Sequence, residues 1–338
     1  MTVGSKQISP EQNNLRTYLV NLPPMKRNRR ILLSILTAAA ILTAADLLCG
    51  SAGADIAVMK MLRIPRILTA ILAGGALAMS GAQMQSILRN SLADPHIMGI
   101  SSGAALGAAI ATMTGGNTTA ATGGISIALA AMAGAVLTAA AILAVSKRFR
   151  SSGSLLIFGV MTGFIINAAV SIIQFTTDAE SLKIFYSWSA GSFSATTWKG
   201  IAVIAAATAI GAIIAFRGRK GLDIMLFGDE FAEMAGAAPE TIRVQAMLSC
   251  CIMTGAVTAY CGPLGFVGIV APHIARAIWK TSSHTIVLPA SFLCGSMTAL
   301  ISDLVSQVSP TPLPAAGTMA MVGIPVIIYI LIKNQTAN

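Results

Sequence analysis

The sequence predicts an all-α fold, a polytopic membrane bundle of about ten transmembrane helices. Three observations predict it. Of 338 residues, 55% are hydrophobic and only 10% charged, and the mean hydropathy is +0.78; a soluble domain carries about a quarter charged residues. The apolar residues come in blocks of about 20, the length a helix needs to cross the hydrocarbon core. Glycine (31 residues) and alanine are abundant while aromatics are scarce, and small side chains let helix backbones approach closely in lipid. The short alternating segments of an outer-membrane barrel are not seen.

Taken in order, residues 1–25 are polar, rich in Asn and Gln, and carry Pro23-Pro24; they read as a disordered cytoplasmic tail ahead of a single transmembrane domain, 26–338. Lys26, Arg27, Arg29 and Arg30 before apolar 31–48 imitate a signal peptide. The late start and the lack of a clear cleavage site favour a retained first helix. The predicted spans are 31–49, 64–88, 97–114, 124–146, 154–175, 198–216, 242–261, 265–280, 285–306 and 314–332. The eighth is short enough to be partly re-entrant. Residues 176–197 form a connection with a short helix near 182–189. Residues 217–241 form the longest connection on the opposite side, with a compact helical pattern that puts Phe231, Met234 and Ala235 on one side. Asp229 and Glu230 sit early in it, where a helix N-terminus favours negative charge. Its acidic residues argue against an anionic lipid surface as its resting place. Spans two to five and seven to ten would start on opposite faces, as in inverted repeats; the one echo is Pro-His-Ile at 95–97 and 272–274.

Charge sets the orientation. With both termini in the cytoplasm, Lys60, Arg63, Arg66, Lys183 and Lys199 fall outside, and the remaining 17 of 22 basic residues fall inside. The positive-inside rule selects this arrangement. It also accounts for the net charge of +10 without nucleic acid. The five cysteines, Cys49, Cys250, Cys251, Cys261 and Cys294, form no CxxC pair and read as small buried hydrophobes.

Several chemistries lack their residues. There is no GxxxxGK[ST] phosphate loop, so ATP hydrolysis belongs elsewhere. There is no HExxH, no GxSxG and no paired intramembrane carboxylates; Asp303 is the one acid well inside a late span, near its outer end. An ion-coupled secondary transporter, the competing class, carries ionisable groups at mid-depth. Poverty of buried charge favours a pathway driven by a separate subunit. His96 and His273 read as helix-end groups, and an intramembrane enzyme would need them to converge with a nucleophile or metal.

Four motifs then narrow the reading: LRIPRILTAILAGGALAMSGAQMQSILRNSLADPHIMGISSGAALGAA at 62–109, LFGDEFAEMAG at 226–236, CGPLGFVGIVAPHIAR at 261–276 and LPAAGTMAMVGIP at 313–325. In this order and spacing, over about residues 31–333, the chain resembles the FecCD family, the permease subunits of bacterial ABC importers for iron–siderophores, haem and cobalamin. The resemblance implies ten helices per subunit, a homodimer around a central pathway in the inner membrane, two cytoplasmic ATPase subunits that bind ATP and magnesium, and a periplasmic or lipid-anchored binding protein. No cofactor or metal is implied for this chain itself. The commonest cargo is an iron–siderophore; cobalamin and haem are the alternatives.

By the same resemblance, Gly228, Asp229, Glu230, Ala232 and Gly236 match the segment that inserts into the ATPase. Arg63 and Arg66 match external arginines that dock acidic residues of the binding protein. The family's cobalamin permease places a third arginine near the end of the ninth helix; Gln307 stands there. Pro312 replaces a usual Glu, Ala316 a Gly, and Ser91 a Pro in the Arg89–Asn90–Asp94 loop, where Asp94 is placed to cap the helix beginning near Pro95. Gly163, Asn167, Ser171 and Gln174 step by four, four and three and mark one helix face. That face is either the weakly polar wall of the pathway or a helix–helix seam. Phe185, Tyr186, Trp188 and Ser189 match the outer gating region, and Trp188 equally suits an interface anchor.

Overall fold

The computed structural model describes residues 25–48, 59–114, 125–146, 152–308 and 313–335. The expected tail, apart from Met25, and also Cys49 and Pro312, lie outside the described residues. The described residues form α-helices with short 3-10 and π turns: α1 (Met25–Leu48), α2 (Ile64–Ile87), α3 (Ile100–Thr114), α4 (Ile125–Ser146), α5 (Ser152–Phe175), α6 (Ala179–Ser189), α7 (Trp198–Met225), α8 (Asp229–Met234), α9 (Pro239–Cys261), α10 (Val267–Trp279), α11 (His284–Ser306) and α12 (Ala315–Gln335). Six of these are long and apolar enough to cross a membrane, and four shorter helices are apolar too.

Helix α2 is the hub. Its sequence is nearly all small or apolar, and 19 of its residues are buried. It packs on α7, α9, α10 and α11. Glycines set the approach distances: a Cβ on Gly295 would lie 2.3 Å from the Gly74 carbonyl oxygen, and one on Gly81 would lie 1.9 Å from that of Gly268. The α2 backbone therefore touches both α10 and α11, as small residues permit in lipid. A second core joins α3, α4, α5, α6 and α9 around Met98, Ile100, Ile142, Leu155 and Met247.

One expected span changes. The span at 198–216 continues as helix to Met225, so the connection is short and α8 follows almost at once. The Arg-Gly-Arg-Lys-Gly run reads as a helix breaker, yet Gly218 and Gly221 serve packing. A Cβ there would meet Gln245 at 3.2 Å and Ile242 at 2.9 Å, and Gln245 Nε2 donates to the Ile214 carbonyl at 3.2 Å. The eighth segment, α10, has 13 residues and carries Pro272 inside. At 1.5 Å per residue it is about 20 Å long, short of the roughly 30 Å core. The Pro-His-Ile echo falls in a 3-10 turn at Pro95–Met98 and in the interior of α10, two different local structures.

Candidate functional site

The structure gathers the singled-out residues at the two ends of the bundle. At one end the chain leaves α7 and turns sharply at Gly228, whose φ of +105° is open to glycine and disfavoured for other residues. Helix α8 follows at once. Its last turn closes with Gly236 at φ +77°, Gly236 N–H donating to the Glu233 carbonyl at 3.0 Å and Ala237 N–H to that of Ala232 at 2.9 Å. This is the six-to-one closure that glycine C′ residues make. Ala232 is fully buried beneath the helix, while Glu230, Glu233 and Met234 are exposed. The Phe227 and Phe231 rings pack against each other at a tilt, with centroids 5.1 Å apart. The Asp229 carboxylate pairs with Arg243 at 2.9 Å, the arginine almost wholly buried in α9. Fixed by two glycine corners, a buried alanine and an ion pair, α8 is a stiff projection rather than a loose loop. Met234 and Ala235 face solvent while Phe231 is half-buried, so the expected common side is a partly open one.

The neighbouring connection joins this end. Asn90 Oδ1 accepts from Leu92 N–H at 2.9 Å, and Asp94 Oδ1 accepts from His96 N–H at 2.8 Å, capping the 3-10 turn as its position suggests. Burial pushes the Asp94 carboxyl above the usual carboxylate range. Arg89 (φ +48°) reaches the Gly228 corner; a Cβ on Gly228 would lie 2.8 Å from its guanidinium. His273 meets the Ser91 carbonyl at 2.8 Å, and Arg276 donates to Gln85 Oε1 at 2.5 Å. His96 bonds Ser101 and, at 2.6 Å, the Leu264 carbonyl. Both histidines are thus partnered, His96 in the 3-10 turn and His273 in the interior of α10 rather than at the expected helix end.

At the opposite end, Arg66 is turned inward. Its Nε donates to both oxygens of Asp303 at 2.8 Å, and a terminal nitrogen donates to Ser306 Oγ at 2.7 Å. Asp303 is 1% exposed. Gln307 donates from Nε2 to Asp46 and, at 3.3 Å, to Asp303. Asp46 is also buried. Against the expectation of no paired intramembrane carboxylates, Asp46 and Asp303 form one here, bridged by Gln307. It lies with an arginine at the end of the bundle opposite α8. Sequence separation hid it, since the partners come from α1 and α11. Arg63 occupies the π turn Met59–Arg63 and is half-exposed.

The four stepping residues of α5 do not share one environment. Gly163 is buried against Gly99 and Ser102, whereas Asn167 and Ser171 are exposed and Gln174 half-exposed. The row begins as a helix seam and ends on open surface. In α6, capped by the Asp178 carboxylate on Ser181 N–H at 2.9 Å, Phe185 is buried between Tyr186 and Trp188, with ring centroids 6.1 and 6.0 Å away. Tyr186 is exposed, and Ser189 Oγ donates to the Tyr186 carbonyl at 3.0 Å. Trp188 leans toward α9, its ring N–H 3.4 Å from the Ala259 carbonyl, and lines a cavity of about 630 Å³ with Lys183, Ser187, Thr197 and Tyr260.

Comparison with known proteins agrees with this architecture. YvrB, an uncharacterised ABC transporter permease of Bacillus subtilis, is 33% identical over 85% of this chain and 83% of its own length. The vitamin B12 import system permease BtuC of Salmonella paratyphi A is 31% identical over 91% of this chain and 97% of its own. An inward-facing structure of an ABC transporter assigned to the metal-chelate type superposes with a TM-score of 0.81 at 25% identity, covering 90% of this chain and 99% of that one. PsaBC from Streptococcus pneumoniae, solved with a Fab, shares the fold alone, at TM-score 0.52 and 15% identity over 81% and 93% of the two chains. A sequence model described as the FecCD transport family matches residues 30–333, and this chain, a permease of the ABC-importer type, belongs to that family.

Proposed function

We propose that this chain lines the pathway of a binding-protein-dependent importer for a metal chelate, with an iron–siderophore as cargo. It works as a homodimer in the bacterial inner membrane with its termini in the cytoplasm. Two ATPase subunits engage α8 from the cytoplasmic side. A binding protein carrying acidic residues docks at the opposite end, near Arg63. The observation that carries the reading is α8 itself, a short helix set rigidly between Gly228 and Gly236 at the end of α7. Rigid transmission needs such a knob, because a motion delivered to a loose loop would be absorbed there. The charge count supports the orientation. Asn167 and Ser171, exposed and uncharged on α5, suit a wall past which a bulky chelate slips without tight binding. Cobalamin is the second reading, favoured by the match to BtuC over nearly that protein's whole length.

The test is uptake by proteoliposomes holding this chain with its ATPase and binding protein, offered a radio-iron-loaded siderophore and radiolabelled cobalamin in parallel. ATP-dependent accumulation of the iron complex supports the proposal. Accumulation of cobalamin alone moves it to the second reading. Uptake that proceeds without ATPase subunits, or that collapses with an uncoupler while ATP stays high, overturns it in favour of an ion-driven carrier.

A further inference from the structure

We propose that Asp223, Ser86 and His284 form the joint that passes motion of α8 into the paired helices α2 and α11, and that these are positioning residues for coupling. The inference rests on the reading of α8 as the ATPase contact.

The three side chains come from three helices and meet at the α8 end of the bundle. Asp223 lies in the last turn of α7, just ahead of the Gly228 corner. Its Oδ1 accepts two hydrogen bonds from His284, from the backbone N–H at 2.7 Å and from Nδ1 at 2.6 Å. Its Oδ2 lies 3.4 Å from the Ser283 hydroxyl. The α7 carboxylate thus caps the N-terminus of α11, where backbone donors lack helical partners and negative charge is favoured. His284 Nε2 lies 2.6 Å from Ser86 Oγ, one residue from the end of α2. The order Ser–His–Asp imitates a nucleophilic triad. Ser86 and His284 are both 0% exposed, so no acyl group reaches the hydroxyl, and the arrangement is mechanical.

What the joint holds is a stiff body. The α2 and α11 backbones touch at Gly74 and Gly295. Ser296 Oγ donates to the Ile71 carbonyl at 2.8 Å. Beyond it, Arg66 and Asp303 close the far end at 2.8 Å. Fastened at both ends and between, the two helices move together, and α2 alone is about 36 Å long. A displacement of α8 pulls the last turn of α7. Through Asp223 and His284 it reaches α11 and α2, and so the opposite face, where Arg66 and Gln307 lie. Packed, hydrogen-bonded elements of this kind carry coupling between distant sites.

The experiment uses the full complex in lipid nanodiscs and measures basal ATPase, its stimulation by the binding protein, and the melting temperature. Asp223→Ala and His284→Ala are expected to keep basal ATPase and to lose stimulation by at least about fivefold, the lower range of an allosteric coupling. His284→Asn, whose amide overlays Nδ1 and still donates to Asp223, should recover most of it. The double variant should lose no more than either single one, because both break one link. If His284→Ala does not assemble, His284→Gln, which reaches Ser86 but not Asp223, takes its place with the same expected loss. Wild-type stimulation in the alanine variants overturns the joint, as does a fully additive double variant, or a loss in His284→Asn as large as in His284→Ala that tracks the melting temperature. A wild-type complex without ATP-driven uptake overturns the coupling reading itself, a separate failure.

Discussion

Replacing Gly295 by alanine tests the backbone contact on which the bundle is built. The new Cβ would lie 2.3 Å from the Gly74 carbonyl oxygen and 2.4 Å from the Ala78 Cβ, where carbon pairs prefer about 3.5–4.0 Å. The first is a backbone atom of a buried helix and the second a Cβ fixed to that backbone, so no flexible tip can swing aside. Helices α2 and α11 must separate by at least about 1 Å. Overpacking of this kind costs about 1–3 kcal/mol. The Arg66–Asp303 bonds, now 2.8 Å, stretch beyond hydrogen-bonding range in the same movement. A bond to a charged group contributes about 1.5–3 kcal/mol, so the expected destabilisation is roughly 3–5 kcal/mol. The control is Gly317→Ala in α12, whose Cβ would meet nothing within 4 Å and which gains helix propensity of up to about 1 kcal/mol. Unfolding of the purified protein by SDS titration in mixed micelles reads both. Equal midpoints for Gly295→Ala and the wild type would refute the claim that these two helices are in backbone contact.

Arg243→Ala breaks a nearly buried ion pair and should cost about 3 kcal/mol, with protease cleavage at 226–238 accelerated in limited digestion; Arg243→Lys should lie between. At the other end, Arg63→Glu should weaken binding-protein affinity measured at low salt and cost less stability than a charge reversal at the more buried Arg66. Arg66→Glu would instead face Asp303 and Asp46 and lower stability by about 3–5 kcal/mol. Equal melting temperatures for the two charge reversals would contradict the inward pairing of Arg66. The pH dependence of Asp94 has a definite sign. Its folded-state carboxyl is raised above the ordinary 3.8, so its contribution to stability is full below that value and is lost as pH rises through the folded one. Asp94→Asn should flatten the melting temperature between neutral and acidic pH; an unchanged slope would refute it.

The spans were legible because an apolar block of bilayer length leaves the backbone only one way to satisfy its hydrogen bonds, and only helices and closed barrels meet that demand. The corners of α8 were legible too, since Gly228 and Gly236 stand where positive φ is needed. The end of α7 was not. Gly218 and Gly221 punctuate a charged run and imitate a turn, yet their missing side chains admit Gln245 and Ile242 of α9, a packing role invisible without the partner helix. The Asp223–His284–Ser86 joint escaped notice for the same reason, as did the α5 row, whose Gly163 turns into a seam while Asn167 stays open.

The end of the bundle opposite α8 shows how one such hidden contact bears on function. At position 307 the resemblance leads one to expect a third docking arginine, and glutamine stands there. The glutamine brings no charge, yet it joins Asp46 to Asp303. Two buried carboxylates therefore share Arg66 as the charged partner that touches the cluster. A buried carboxylate that loses its cation is costly, so with glutamine rather than arginine at 307 the carboxylates hold Arg66 inward. Of the two arginines the motif offers, Arg63 lies on the more exposed π turn Met59–Arg63. A binding protein suited to this permease should then present its acids toward the Met59–Arg63 turn, and lowering the salt concentration should strengthen docking through that single contact. If the docking affinity of the Arg63→Glu variant matched that of the wild type at low salt, while an Asp303→Asn change that frees Arg66 raised it, the docking charge would have to be assigned to Arg66 after all.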